Sequence, residues 1–203
     1  MHDHSIRPIL AIGLILLSAC GGSGGPPALD GAIAQPPLVV ADQQLPRASN
    51  GEAFTFIAPP GALLAVYFGY TQCPDLCPTT LATLKVALSE LDADDAGRVT
   101  VALVTVDPDR DAPELLDSYL SSFFDAEHRV ALRSTHTESL ARVQAAFLAS
   151  SALVHTAHGV AAEHSATTSI VTDQGVVAVQ WPFGTSAGSM AHDLRILLAT
   201  NRR

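Results

Sequence analysis

Positions 63–68 form an unbroken apolar run, and so do most of positions 99–106. Runs of this length, rich in Val and aromatic residues, predict strands buried on both faces. Phe54-Thr55-Phe56 alternates and predicts a shorter strand ahead of them. Leu81, Leu84, Leu88 and Leu91 recur at helical spacing, which predicts a helix over 78–91. Pro113 stands where a helix can start, and 114–124 carries a helical pattern. A short strand follows at 130–132, and Leu140, Val143 and Phe147 mark one face of a further helix. Strands over 167–172 and 176–180 flank Asp173-Gln174-Gly175, a hairpin signal. Met190, Leu194 and Leu197 predict a last helix.

Strands that alternate with helices predict an α/β sheet, and the closing hairpin makes that sheet mixed. The order is compatible with a thioredoxin-like fold: a mixed central sheet flanked by helices, with an N-terminal strand extension. No internal repeat of 20–50 residues is visible.

The chain of 203 residues is expected to hold one folded domain behind an address. An apolar run at 9–17 follows Arg7 and is too short to span a bilayer. It reads as the core of an export signal. Leu17-Ser18-Ala19-Cys20 looks like the lipobox of bacterial lipoproteins, in which the cysteine is lipidated and becomes the first mature residue. An ordinary signal with a chance cysteine is the alternative. In 21–37, nine of seventeen residues are Gly or Pro, so no packed structure is expected there. The division is therefore a signal at 1–19, a lipid-anchored tether at 20–37 and a folded domain at 38–203. The domain is expected outside the cytoplasm, in the periplasm of a two-membrane bacterium, held to the membrane by its anchor. With Cys20 lipidated, the odd cysteine count is explained, and Cys73 and Cys77 remain as a pair in an oxidising compartment.

Composition narrows the function. Hydrophobic residues make up 48%, enough for a core. Eleven basic against twenty acidic residues give a net charge of −9, with Lys85 the one lysine, which speaks against nucleic-acid binding. A Walker-type phosphate loop and a GxGxxG pattern are both absent from the sequence.

Chemistry is concentrated in two places. Gly69-Tyr70-Thr71-Gln72-Cys73-Pro74-Asp75-Leu76-Cys77-Pro78 lies between a predicted buried strand and a helix. Cysteines four apart at a helix start share one face, and the positive helix end favours their thiolates. Such a pair forms a disulfide or holds one soft metal ion. The second place is the segment bearing His155, His158 and His164, three equal candidates by position on one irregular stretch. Two Cys and one His make a soft set that suits Cu(I) in trigonal geometry and tolerates Cu(II) with an added oxygen. Zinc prefers a fourth ligand. Asp75, between the cysteines, is a candidate outer oxygen ligand or a favourable charge at the helix end. Asp107 ends the second buried strand, where functional groups gather in α/β sheets, or is a turn acid paired with Arg110.

Three segments then point to one family. GYTQCPDLCPTTL, VDPDRDAPELL with the following Tyr119, and EHSATTSIVTDQG resemble the Sco/SenC copper metallochaperones. The resemblance runs from about Phe54 to Leu198. It implies a membrane-anchored thioredoxin-like domain that binds copper through Cys73, Cys77 and His164. It also implies delivery of copper to the binuclear copper centre of cytochrome c oxidase, or reduction of the cysteines of that centre. Asp107 then becomes a carboxylate behind the ligands or at a docking surface. Glu163 stands where the family commonly has Asp, and Ser169 near a position often held by Tyr. His155 and His158 lie outside the family pattern, as solvated residues or an accessory copper-acquisition site.

Two further functions compete. A thiol–disulfide oxidoreductase would attack with one cysteine and resolve with the other, although CxxxC replaces the usual redox CxxC. A peroxidase-like enzyme would use Cys73 alone. Only copper binding requires the histidine.

Overall fold

A computed structural model describes residues 28–156 and 159–201. In chain order the elements are β1 (Gln44–Pro46), β2 (Ala53–Thr55), β3 (Leu63–Gly69), α1 (Leu76–Ser89) and α2 (Ala93–Ala96). Next come β4 (Val99–Thr105), α3 (Pro113–Ser121), β5 (Arg129–Leu132), α4 (Thr137–Ala146) and β6 (Ser151–Thr156). The chain closes with β7 (Gly159–His164), β8 (Thr167–Val171), β9 (Val177–Pro182) and α5 (Ala187–Thr200).

The central sheet runs β5-β4-β3-β8-β9. Strands β3, β4 and β5 are parallel, whereas β8 and β9 are antiparallel to their neighbours. Parallel neighbours need crossovers, and α1 and α3 supply them. Every residue of β3 is buried, which explains its unbroken apolar run. Helices α1 and α5 pack side by side. This is the mixed, helix-flanked thioredoxin-like arrangement expected from the alternation of elements.

Both edges of the sheet are covered by chain from the N-terminal side. Ala32 and Val39 bridge to Gln180 and Val176 along β9, and Arg47 bridges to Leu132 along β5. Such cover removes open strand edges that would otherwise recruit other chains.

The expectation of an unpacked stretch up to residue 37 is corrected here. Asp193 is fully buried, and its carboxylate accepts from the Asp30 N–H at 2.7 Å, the Gly31 N–H at 3.0 Å and the Trp181 indole at 2.9 Å. A Cβ on Gly31 would come within 2.4 Å of Val179 and 2.6 Å of Trp181, so only glycine fits this approach. Residues 30–32 are thus seated on the domain. Composition misled because the glycine serves close packing rather than slack. Cys20 and the export signal lie outside the described residues.

A second correction concerns the stretch bearing the histidines. It is not irregular: β6 and β7 pair as an antiparallel hairpin, from Ser151↔His164 at the base to Thr156↔Gly159 at the tip. Its small residues gave little alternation to read, and the turn is not of the Asn-Gly or Asp-Gly kind.

The topology brings three segments to one end of the sheet. Gly69 pairs with Thr105, so the loops after β3 and β4 start side by side. Because β8 is antiparallel, its first residues lie at that same end, with Thr168 opposite Tyr67. His164 enters just ahead of them.

Candidate metal centre

The loop after β3 turns at once. The Cys73 N–H donates to the Tyr70 carbonyl at 3.3 Å, and α1 opens three residues later with Asp75 as its capping residue. The Asp75 side chain makes no capping bond, whereas the Cys77 N–H donates to Cys73 Sγ at 3.3 Å. The sulfur thus takes a helix-terminal amide that would otherwise need another partner. Cys77 is completely buried, Cys73 is 8% exposed, and both are free thiols.

His164 completes the group. Its Nε2 lies 3.4 Å from Cys77 Sγ, and the ligand atoms of Cys73, Cys77 and His164 all lie within 4.8 Å of one another. The Ser165 carbonyl is 3.2 Å from His164 Nδ1 and can only accept, so Nδ1 carries the proton. That leaves the Nε2 lone pair facing the sulfurs, the tautomer a metal ligand needs. Burial lowers the pKa of His164 below its usual value, against a smaller opposing pull from Ser165. The imidazole is therefore neutral at pH 7.

Aromatic rings wall the group. Tyr67 and Tyr70 both meet the His164 ring edge-on, with centroids 5.9 Å away. The Tyr67 hydroxyl donates to Cys77 Sγ at 3.7 Å. Gly69 makes room for the sulfur: a Cβ there would sit 3.0 Å from Cys77 Sγ and 2.8 Å from the Tyr67 ring.

The expected preference for thiolate is reversed at Cys77. Burial pushes its thiol from 9.0 up to about 12, although a hydrogen bond with the Tyr70 backbone pulls the other way. Desolvation outweighs the helix end. A metal must therefore displace a proton from Cys77 at any physiological pH. Burial weakens the hold of His164 on a proton, so between pH 6.5 and 8 the thiol proton of Cys77 dominates the competition with the metal. Copper affinity should therefore rise with pH across this window, by roughly tenfold per unit for each thiol proton released. Competition titrations against a chelator of known pH dependence check this; a flat profile would contradict it.

The other acidic residues divide. Asp75 is exposed and accepts from the Thr79 hydroxyl at 3.3 Å, outside the Cys–Cys–His group. Asp107 is 2% exposed and pairs with Arg110, whose side chain reaches the surface at 30%. Sequence reasoning passed over Asp111. This fully buried carboxylate accepts from the Thr71 hydroxyl at 2.5 Å, the Thr71 N–H at 3.2 Å and the Thr105 hydroxyl at 2.5 Å. It ties the start of the cysteine loop to the end of β4. The backbone of His155 lies in β6 near the hairpin tip, paired with Val160, away from the base where His164 sits. His158 lies outside the described residues.

Two thiolates and one imidazole form a soft donor set that fits copper better than a hard cation, which takes oxygen ligands. No helix among the described residues is long and apolar enough to cross a membrane.

Known proteins agree with this chemistry. Mitochondrial protein SCO2 of Saccharomyces cerevisiae is 40% identical over 77 residues, covering 38% of this chain and 26% of that protein. The chain thus matches only about a quarter of the length of that curated relative. The structure of Bradyrhizobium japonicum ScoI with copper bound superposes with a TM-score of 0.63 at 29% identity, covering 83% of this chain and 98% of the other. Apo Sco1 from Thermus thermophilus gives 0.65 at 27% identity, covering 86% and 96%. A sequence model of the SCO1/SenC family matches residues 38–199, from ahead of β1 into the last turn of α5 and through both halves of the Cys–Cys–His group. On that match the chain belongs to the SCO1/SenC family.

Proposed function

We propose that this protein carries one copper ion on Cys73, Cys77 and His164 and passes it to the copper-binding subunit of cytochrome c oxidase. The observation that carries the reading is the convergence of two free thiols and a neutral imidazole within 4.8 Å. Copper is cargo here. A three-ligand site with Cys73 near the surface leaves a side from which an acceptor's cysteine can add as a further ligand, so transfer can run by ligand exchange. Asp75, exposed between the two cysteines, and the Asp107–Arg110 pair at the end of β4 would orient that acceptor.

Cys20 carries a lipid in this reading, and the protein works outside the cytoplasm at a bacterial membrane. Because residues 30–32 are seated on the domain, the span between anchor and domain is shorter than 20–37.

A second reading rests on the same thiols. As a dithiol, the pair could reduce a disulfide in the acceptor, becoming a Cys73–Cys77 disulfide itself. Incubation of copper-loaded protein with the metal-free oxidase subunit separates the two. Transfer of one copper with both thiols still titratable supports the carrier. Appearance of two acceptor thiols and loss of two here, without copper transfer, supports the reductant.

A further inference from the structure

The N-terminal arm runs along β9 in a fixed direction. The Ala32 N–H donates to the Gln180 carbonyl at 2.9 Å, and the Gln180 N–H returns to Ala32 at 2.8 Å. Further on, Val39 bridges Val176, and the Val40 N–H donates at 2.8 Å to the Gly175 carbonyl in the β8–β9 turn. Both bridges are antiparallel, so the arm begins at the end of the sheet where β9 finishes. That is the metal end. Trp181 and Pro182 of β9 pair with Thr168 and Thr167, and Thr168 lies opposite Tyr67, whose hydroxyl donates to Cys77 Sγ. From arm to β3 is three strand spacings, about 14 Å. The arm is pinned there through the bonds of Asp30 and Gly31 to buried Asp193, and the Ala28 carbonyl accepts from His192 Nε2 at 3.2 Å.

Where the arm is pinned decides which end of the domain an anchor holds. Cys20 stands ten residues before Asp30. Ten fully extended residues reach at most about 36 Å. With the arm loose, the chain would leave the domain at Val40 instead, beside the β8–β9 turn at the opposite end. Those two exits are separated along β9 by the rise from Val176 to Trp181, about 17 Å. A linker that served only as slack would need no seat, yet Asp193 is a buried carboxylate that would lose two of its donors if the arm lifted. We propose that the seated arm hangs the domain from the membrane by its metal end. Cys73 then faces the lipid surface, and copper passes to an acceptor site standing close above the bilayer on an integral membrane protein. The inference rests on the lipid-anchor reading above and adds the orientation that the anchor imposes.

Trp181 is the single tryptophan and lies at the metal end, so it reports the orientation directly. The full-length protein is purified with its anchor and reconstituted in vesicles of phosphatidylethanolamine and phosphatidylglycerol. Energy transfer is then read from Trp181 to a dansyl group on the lipid headgroups. Gln174→Trp adds a second donor at an exposed position of the β8–β9 turn, at the opposite end. Mean transfer per indole should fall below the wild-type value, because the added indole sits about 17 Å farther from the bilayer. Gly31→Val drives methyl groups into Val179 and Trp181 and unseats the arm. Its transfer should fall at least about twofold, as Trp181 is carried about 17 Å from the lipid surface. Its copper binding should equal that of wild type, since the neighbours of Gly31 are Val179 and Trp181 rather than the ligands. Equal or higher mean transfer in Gln174→Trp overturns the inference. So does a folded, vesicle-bound Gly31→Val with wild-type transfer; if that variant does not fold, the Gln174→Trp comparison alone decides. Wild-type protein that does not stay with the vesicles removes the anchor reading and this inference with it, and leaves the copper reading standing.

Discussion

Cys77→Ser should lose copper binding almost completely while the domain stays folded. Cys77 is fully buried, so no water can replace its sulfur. Serine offers a hard oxygen whose proton copper cannot displace. The folded state tolerates the change, because the Tyr67 hydroxyl still donates to this position and His164 Nε2 can accept from it. Changes to groups behind metal ligands already cost 10–100-fold in affinity, so loss of the ligand itself should exceed about 100-fold. Competition with a Cu(I) chelator gives the number, and circular dichroism checks the fold. Affinity within tenfold of wild type would mean that copper sits elsewhere.

The second large effect concerns stability rather than ligation. Asp111→Ala should destabilise the domain by about 3 kcal/mol, since it removes hydrogen bonds to a charged acceptor and strands donors on half-buried Thr71 and fully buried Thr105. Copper affinity should fall in the same variant, because Thr71 opens the loop that carries Cys73. Asp107→Ala should cost clearly less: its partner Arg110 reaches water, which screens and rehydrates it. Urea unfolding of both variants tests the order. Equal losses, or a larger one at Asp107, would show that Asp111 does not anchor the loop.

Much of the sheet was legible in the sequence. The apolar runs of β3 and β4 stood out because both faces of those strands are covered, and Asp173-Gln174-Gly175 marked the β8–β9 turn. Gly175 has φ 68°, and a Cβ there would strike Ala41 at 2.5 Å, which is why the turn needs glycine. The β6–β7 hairpin was missed, since its strands are too weakly patterned to show a period. The docking of residues 30–32 was hidden for a different reason. It depends on one buried carboxylate, Asp193, more than 160 positions away in sequence.

At the metal centre, cysteine spacing and the helix start identified the sulfurs as a pair. Position alone left His155, His158 and His164 equal, and family resemblance chose among them. The hairpin register supplies the physical reason, with His164 at the base and His155 toward the tip. The Cys77 thiol illustrates a limit of local reasoning, because helix position is visible in sequence and burial is not. Asp111 was lost among Asp107, Asp109 and Asp111, where spacing does not say which acid turns inward.

The most direct test of the central claim is a copper titration of the reduced, metal-free protein beside His164→Ala. The account predicts one copper per chain, with thiolate charge-transfer bands in the Cu(II) form and affinity at least about tenfold weaker in the variant. Copper binding that ignores His164→Ala, together with a readily exchanged Cys73–Cys77 disulfide, would contradict it and make thiol reduction the primary activity.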